Sequence, residues 1–170
     1  MGTIEETIQI AVPVRTAYDQ WTQFELFPRF MSVVRSVEQI RPSLVHWAVG
    51  AGPVRHEFTA EIVEQRPDAL VAWRSLDGRH HGEVSFLELS PERTSVTVRV
   101  HTRGSGLKEA LAAGRGPVRR AVRSGLAHFK EFIEGLGAAS GAWRGTIRGG
   151  HVQPDETGRP AHPVPHWPHG

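Results

Sequence analysis

The stretch PVRRAVRSGLAHFKEFIEGL, residues 117–136, decides the fold. Its apolar residues Val118, Val122, Leu126, Phe129, Phe132, Ile133 and Leu136 recur at steps of three and four, which is the period of one helical face. A stripe that bulky has to be buried against a surface of similar length. The helical pattern begins earlier, at Leu107, Ala110 and Leu111, but Gly114 and Gly116-Pro117 predict a break before the long regular part. Gly135 and Gly137 end it. Off the stripe, Arg115, Arg119, Arg120 and Arg123 form a basic ridge expected to face solvent.

Upstream of the helix the period is two. Residues 3–12 place Ile4, Ile8, Ile10 and Val12 on one face of a strand, with Glu6 as the exception on that face. Pro13 stops the strand and opens a short helix carrying Val14, Ala17, Tyr18 and Trp21, and a brief second turn is predicted over 24–30. Further strands are predicted at 32–40, 44–50, 54–65, 69–75, 82–89 and 93–103, separated by turn residues such as Pro42-Ser43, Asp77-Gly78 and Ser90-Pro91-Glu92. The stretch 54–65 puts His56, Phe58, Ala60 and Ile62 on one face and Arg55, Glu57, Thr59, Glu61 and Gln65 on the other, the mark of an antiparallel strand with one wet side. The economical solution is an α+β domain over 1–136, a curved antiparallel sheet of about seven strands gripping the long C-terminal helix. Residues 137–170, rich in glycine, proline and histidine, lack a periodic stripe and are expected to be a largely irregular tail.

Composition narrows function mainly by exclusion. A chain of 170 residues suits one domain with a real core. The absence of cysteine removes disulfides and thiolate metal sites, and the net charge of +2 raises no field that demands nucleic acid. No apolar run approaches the length of a membrane span, and the acidic Glu5-Glu6 near the start is unlike a leader, so a cytoplasmic location is expected. No glycine-rich nucleotide fingerprint, P-loop or nucleophile elbow occurs, and no cofactor or metal is expected; His151, His162, His166 and His169 have no known ligand spacing.

Several segments in order resemble the START-like helix-grip superfamily, which includes the polyketide cyclase/dehydrase and coenzyme Q-binding families. They are IQIAVPVRTAYDQWTQFELFPRFM (8–31), HWAV (46–49), HEFTAEIVEQRPDALVAWRSLDG (56–78), GEVSFLEL (82–89), LAHFKEFIE (126–134) and GAWRG (141–145). The likeness covers about residues 3–147. It implies an apolar cavity between sheet and helix that takes a hydrophobic small molecule. Phe24, Phe27, Phe30 and Met31 would close one end of it, Trp47 and Trp73 would offer flat faces, and Phe58, Phe86, Val122 and Leu126 would complete the wall. Each of these residue types is equally at home as plain core. His56, on the inward face of its strand, is the candidate proton donor or acceptor, and Arg74 the candidate partner of an enolate oxygen, although the face Arg74 takes stays open. The resemblance implies a cyclase/dehydratase-like enzyme acting on a polyketone chain, with the basic ridge as a docking place for an acidic acyl carrier protein. The alternative is a non-catalytic carrier of a quinone or lipid.

Overall fold

A computed structural model describes residues 2–50, 53, 55–102 and 115–154. The helical start expected at 107–111, the break at Gly114, the side chains of Arg115 and Val118, and His162, His166 and His169 lie outside the described residues or side chains.

The chain opens with β1 (Gly2–Ile10), then α1 (Val14–Trp21) and a 3-10 helix (Phe24–Arg29). Six strands follow in succession: β2 (Val34–Arg41), β3 (Leu44–Val49), β4 (His56–Arg66), β5 (Leu70–Ser75), β6 (His80–Ser90) and β7 (Arg93–Thr102). The long helix α2 (Arg115–Leu136) comes next, then β8 (Ile147–Arg148) and β9 (His151–Val152). Every strand pairing is antiparallel, and the sheet order is β1-β7-β6-β5-β4-β3-β2. The succession of hairpins brings the first strand back beside the seventh, so one chain of short connections builds one broad sheet.

Pro13 caps α1 in the extended conformation and its carbonyl accepts the amide of Ala17 at 3.1 Å. The helix stops because the Thr22 hydroxyl donates to the Asp19 carbonyl at 2.6 Å, competing for the group the next turn would need. Pro28 then confines 24–29 to 3-10 geometry, which turns Phe24 and Phe27 inward.

The middle of the apolar stripe of α2 is buried as its period requires, Val122 and Phe132 are partly buried against the core, and Leu136 at the helix end is exposed. Leu126, Phe129 and Ile133 are within the core, together with Ile10, Tyr18, Trp21, Phe30 and Phe86. The helix is fastened to β1 by polar contacts along its flank. Arg119 and Arg123 both reach Glu6, Lys130 donates to the Gln9 carbonyl, and the Glu134 carboxylate accepts the Ala11 amide at 2.7 Å. Glu6, the exception in the β1 alternation, thus faces the helix with its charge matched. The basic ridge expected in solvent is partly turned onto the sheet, and Arg120 remains exposed.

Packing does not stop at residue 136. Ser140 donates its amide to Gln20 Oε1, Trp143 donates its amide to the Thr22 hydroxyl, and Arg144 pairs with Asp19 and with Asp68. Ile147 is fully buried. β8 pairs with Glu64 and Gln65 of β4, just past Glu61 where the β3 pairing ends; Gln65, expected on the wet face, is instead 1% exposed and donates to the Tyr18 hydroxyl at 3.0 Å, because an irregularity between Ile62 and Glu64 breaks the alternation. Residues 137–152, irregular for the most part, therefore form a strap across α1 and the sheet.

Candidate functional site

The inner face of the sheet and the helices do not mesh throughout. Between them lies a cavity of about 160 Å³. One wall is built by consecutive strands: Val45 and Trp47 of β3, Phe58, Ala60 and Ile62 of β4, Val71 and Trp73 of β5, Val84 of β6, and Val98 and Val100 of β7. The facing wall is Trp21, Phe24, Phe27, Met31, Val34 and Val122.

The strand register explains the flat part of this wall. Trp47 and Phe58 are directly paired across β3 and β4, and their rings lie nearly parallel, 6.4 Å apart at 10°. Phe58 and Trp73 continue the row at 6.5 Å and 25°. A β-bulge between Ile62 and Glu64 shifts the β4–β5 register, and Trp73 sits opposite Gly82 of β6. A Cβ at Gly82 would lie 2.8 Å from the Trp73 indole and 2.7 Å from the Arg99 carbonyl, so glycine is what lets that indole lie over the strand. Phe27 stands edge-on to Trp47 at 5.4 Å and closes the row from the other side. On α2, Gly125 leaves room for the Met31 side chain, which would otherwise meet a Cβ there.

Of the residues singled out in the sequence, Phe24, Phe27, Met31, Trp47, Phe58, Trp73 and Val122 border the cavity. Phe30, Phe86 and Leu126 do not. Phe30 packs on Phe129 and Phe132, Phe86 on Tyr18 and Trp21, and Leu126 is 1% exposed in the core behind them. Arg74 is excluded from the cavity by strand alternation, because Trp73 beside it points inward. Its guanidinium lies on the outer face, donating to Glu61 Oε1 at 2.9 and 3.1 Å. It therefore has no route to an enolate inside. Arg99 is likewise outside, bridging Glu5 and Glu83.

His56 takes the inward face of β4, and its ring stacks on Phe58 at 5.8 Å. Its Nε2 is buried with no hydrogen-bond partner among the described residues. Beside it is a residue that the sequence did not flag. His80, the first residue of β6, is 2% exposed and stands edge-on to Phe58 at 4.4 Å and to Trp73 at 5.2 Å. Burial pushes its pKa down to about 4, so it is neutral at pH 7. The signal for it was present. His80, Gly82, Val84 and Phe86 share one strand phase, legible once the strand is begun at 80 rather than 82.

No three His, Asp or Glu side chains converge as a metal site among the described residues. No helix among them is long and apolar enough to cross a membrane.

Residues 10–131 match the family described as polyketide cyclase / dehydrase and lipid transport. A 17.2 kDa protein of Streptomyces lincolnensis is 42% identical over 149 residues, 86% of this chain and 99% of that protein. A solved structure from Deinococcus radiodurans is similar at a TM-score of 0.62 and 27% identity, covering 79% of this chain and 100% of its own. The Zhui aromatase/cyclase from Streptomyces sp. R1128 is similar at a TM-score of 0.65 and 19% identity, over 84% of this chain and 99% of that one. At 19% the likeness is one of fold.

Proposed function

The chain belongs to the polyketide cyclase/dehydrase and lipid-transport family, and within it we propose that this protein holds a small, flat, apolar molecule against the Trp47–Phe58–Trp73 wall as a carrier, without transforming it. One observation carries the reading. Among the described residues, all sixteen that border the cavity have apolar or aromatic side chains, and none is ionisable. Such a lining binds by removing apolar surface from water and offers no group to move a proton. The size supports a compact guest, because an apolar cavity of about 150 Å³ accepts benzene. The test is a thermal-shift series with benzene, toluene and naphthalene. Saturable stabilisation is expected, since a ligand at about a hundred times its Kd adds about 2.7 kcal/mol by mass action. Ala60→Leu, which fills the hollow, should abolish the shift. No stabilisation by any of the three, up to their solubility, overturns the reading.

A second reading is favoured by His56. Its Nε2 lies buried and unpartnered among the described residues beside Phe58. An imidazole in such a place is the kind of group that takes a proton from the carbon next to a ketone, or gives one to a departing hydroxyl. The cavity would then act as a cyclase/dehydratase-like mould that holds a polyketone chain in a reactive shape. An acidic acyl carrier protein would dock near the exposed Arg120. Turnover of a polyketone thioester that is unchanged in His56→Ala removes His56 from that scheme.

A further inference from the structure

Along residues 20–24, where α1 gives way to the 3-10 helix, the side chains divide between two neighbours. Trp21 and Phe24 border the cavity. Gln20, Thr22 and Gln23 meet the C-terminal strap. Gln20 Oε1 accepts the Ser140 amide at 2.7 Å, and the Thr22 hydroxyl accepts the Trp143 amide at 3.1 Å. The Gln23 side chain lies so close to Gly141 that a Cβ there would come within 2.6 Å of its Oε1. Thr22 is the node of this arrangement. It is 3% exposed, and its hydroxyl also donates to the Asp19 carbonyl at 2.6 Å and accepts Gln23 Nε2 at 3.0 Å. A hydroxyl has one proton and two lone pairs, so its bonding capacity is fully used. One oxygen thus joins the end of α1, the strap and the residue that precedes the 3-10 helix. The rest of the strap is anchored separately, by Arg144 on Asp19 and Asp68 and by the pairing of β8 with β4.

We infer that Thr22 is a positioning residue for the ligand wall, through which docking of the strap and filling of the cavity favour each other. The inference rests on the cavity being a ligand site and adds how that site is regulated. With Thr22 bonded to the Trp143 amide, the junction after α1 has one arrangement, and Trp21 and Phe24 keep their places on the hollow. When that amide leaves, the junction retains only its local bonds and the two rings lose their fixed position. A guest that touches Trp21 and Phe24 therefore binds the docked form better, which is the differential contact that any shift between two states requires. The coupling is reciprocal, so the guest holds the strap as firmly as the strap favours the guest. Arg144 stands outside it. Its partners Asp19 and Asp68 do not border the cavity, so its removal costs stability without moving the wall.

The test measures p-xylene affinity by calorimetry on the full chain, in wild type, Thr22→Val, Thr22→Ser and Arg144→Ala. Thr22→Val keeps the shape and removes the hydroxyl, and its affinity is expected to fall about 3- to 10-fold, the worth of one net hydrogen bond. Thr22→Ser, which keeps the hydroxyl, should bind as wild type does, and so should Arg144→Ala despite its lower Tm. In parallel, amide exchange read by NMR in wild type should slow at Ser140 and Trp143 on adding p-xylene. It should slow there by more than at Gln153, whose amide bonds to the Thr146 carbonyl across the β8–β9 hairpin. That readout needs no substitution and decides alone should Thr22→Val not fold. If p-xylene binds but Thr22→Val matches wild type and the two amides do not respond, Thr22 merely ends α1, and the inference falls while the cavity reading stands. It falls equally if Thr22→Val and Arg144→Ala weaken binding alike, the mark of lost stability alone. If p-xylene does not bind wild type, both fall together.

Discussion

The two ends of the helix grip are built from the same residue types and do different work. At one end Tyr18, Phe129 and Ile133 are wholly buried, and Trp21, Phe86 and Phe129 meet at ring distances of 4.9 to 6.1 Å. At the other, Phe58, Trp73, Trp47 and Val122 are only partly buried, because the surface they would share is the surface of the cavity. Aromatic content alone does not separate them. What separates them is whether α2 brings a large side chain to the contact. Phe129 and Ile133 do so at the packed end, whereas Val122 and Gly125 stand where the helix passes the hollow. On the proposed function, stability is concentrated at the packed end and binding at the hollow one.

That division fails if truncation costs the same at both ends. Phe129→Ala should lose about 3–5 kcal/mol in urea denaturation, the range for deleting a fully enclosed ring. Phe58→Ala should lose no more than about 2 kcal/mol, because its ring is only partly buried and already borders an existing void. The same Phe58→Ala should lower ligand affinity. Comparable stability losses for the two would mean that the hollow end also carries the fold.

The strap sharpens the contrast at the packed end. Arg144 joins Asp19 and Asp68 and lies 5.5 Å over the Tyr18 ring, so one guanidinium ties the C-terminal segment to α1 and to the β4–β5 turn. Removing it leaves Asp19, 8% exposed, with only the long 3.8 Å ion-pair contact to Arg15 among the described residues. Arg144→Ala should therefore cost about 2 kcal/mol, less than a fully buried pair because the guanidinium keeps some solvent. The thermal shift on adding ligand should survive, since none of these groups borders the cavity.

The sequence made the packed end easier to read than the hollow one, for physical reasons. The stripe of α2 and the alternation of β4 are local periods, and they correctly set Phe129, Ile133, Phe58 and Ile62 inward. The role of Glu6 was not legible, because its partners Arg119 and Arg123 lie 113 and 117 positions away. The face of Arg74 could not be fixed from LVAWRS, where apolar residues occupy both phases, and the bulge at Ile62/Glu64 breaks the count from β4. His80 was hidden in DGRHHG, a composition that reads as turn, although the strand begins inside it. GAWRG carried a resemblance but no period, and its docking depends on single hydrogen bonds and ion pairs rather than on a stripe.

A smaller effect should separate the flanks of α2 by pH. Arg123 and Arg119 hold the Glu6 carboxyl below its ordinary 4.5, against the opposing cost of burial. A carboxyl depressed in the folded state adds stability that is complete above its unfolded pKa and disappears as pH falls through the lower, folded one. Glu6→Gln should thus lower Tm at pH 7, and its curve should meet that of wild type as pH is taken below about 4. Lys130 and the Ala11 amide hold Glu134 low in the same way at the other end of the helix. Glu134→Gln should show the same convergence. Of the two, only Glu6→Gln should also alter ligand affinity, because it loosens the half of α2 that carries Val122.

The smallest stability effect, and the most selective for the hollow, is expected at Gly125. Replacing glycine by alanine inside a helix is worth about 1 kcal/mol in the helix's favour. Here the new methyl would meet the Met31 side chain, with Met31 Cγ only 3.0 Å from it. Methionine is flexible enough to move rather than clash, and the room open to it is the cavity that it already borders. The two stability terms should nearly cancel in Gly125→Ala, leaving Tm close to wild type. The displaced thioether should occupy part of the hollow, so p-xylene affinity should fall several-fold. Gly125→Ala combined with Met31→Ala should restore it, because the intruding group is gone. A fall in Tm with affinity intact would show Met31 turning outward instead, and would place the flexible wall of the cavity elsewhere than at the passage of α2 over Met31.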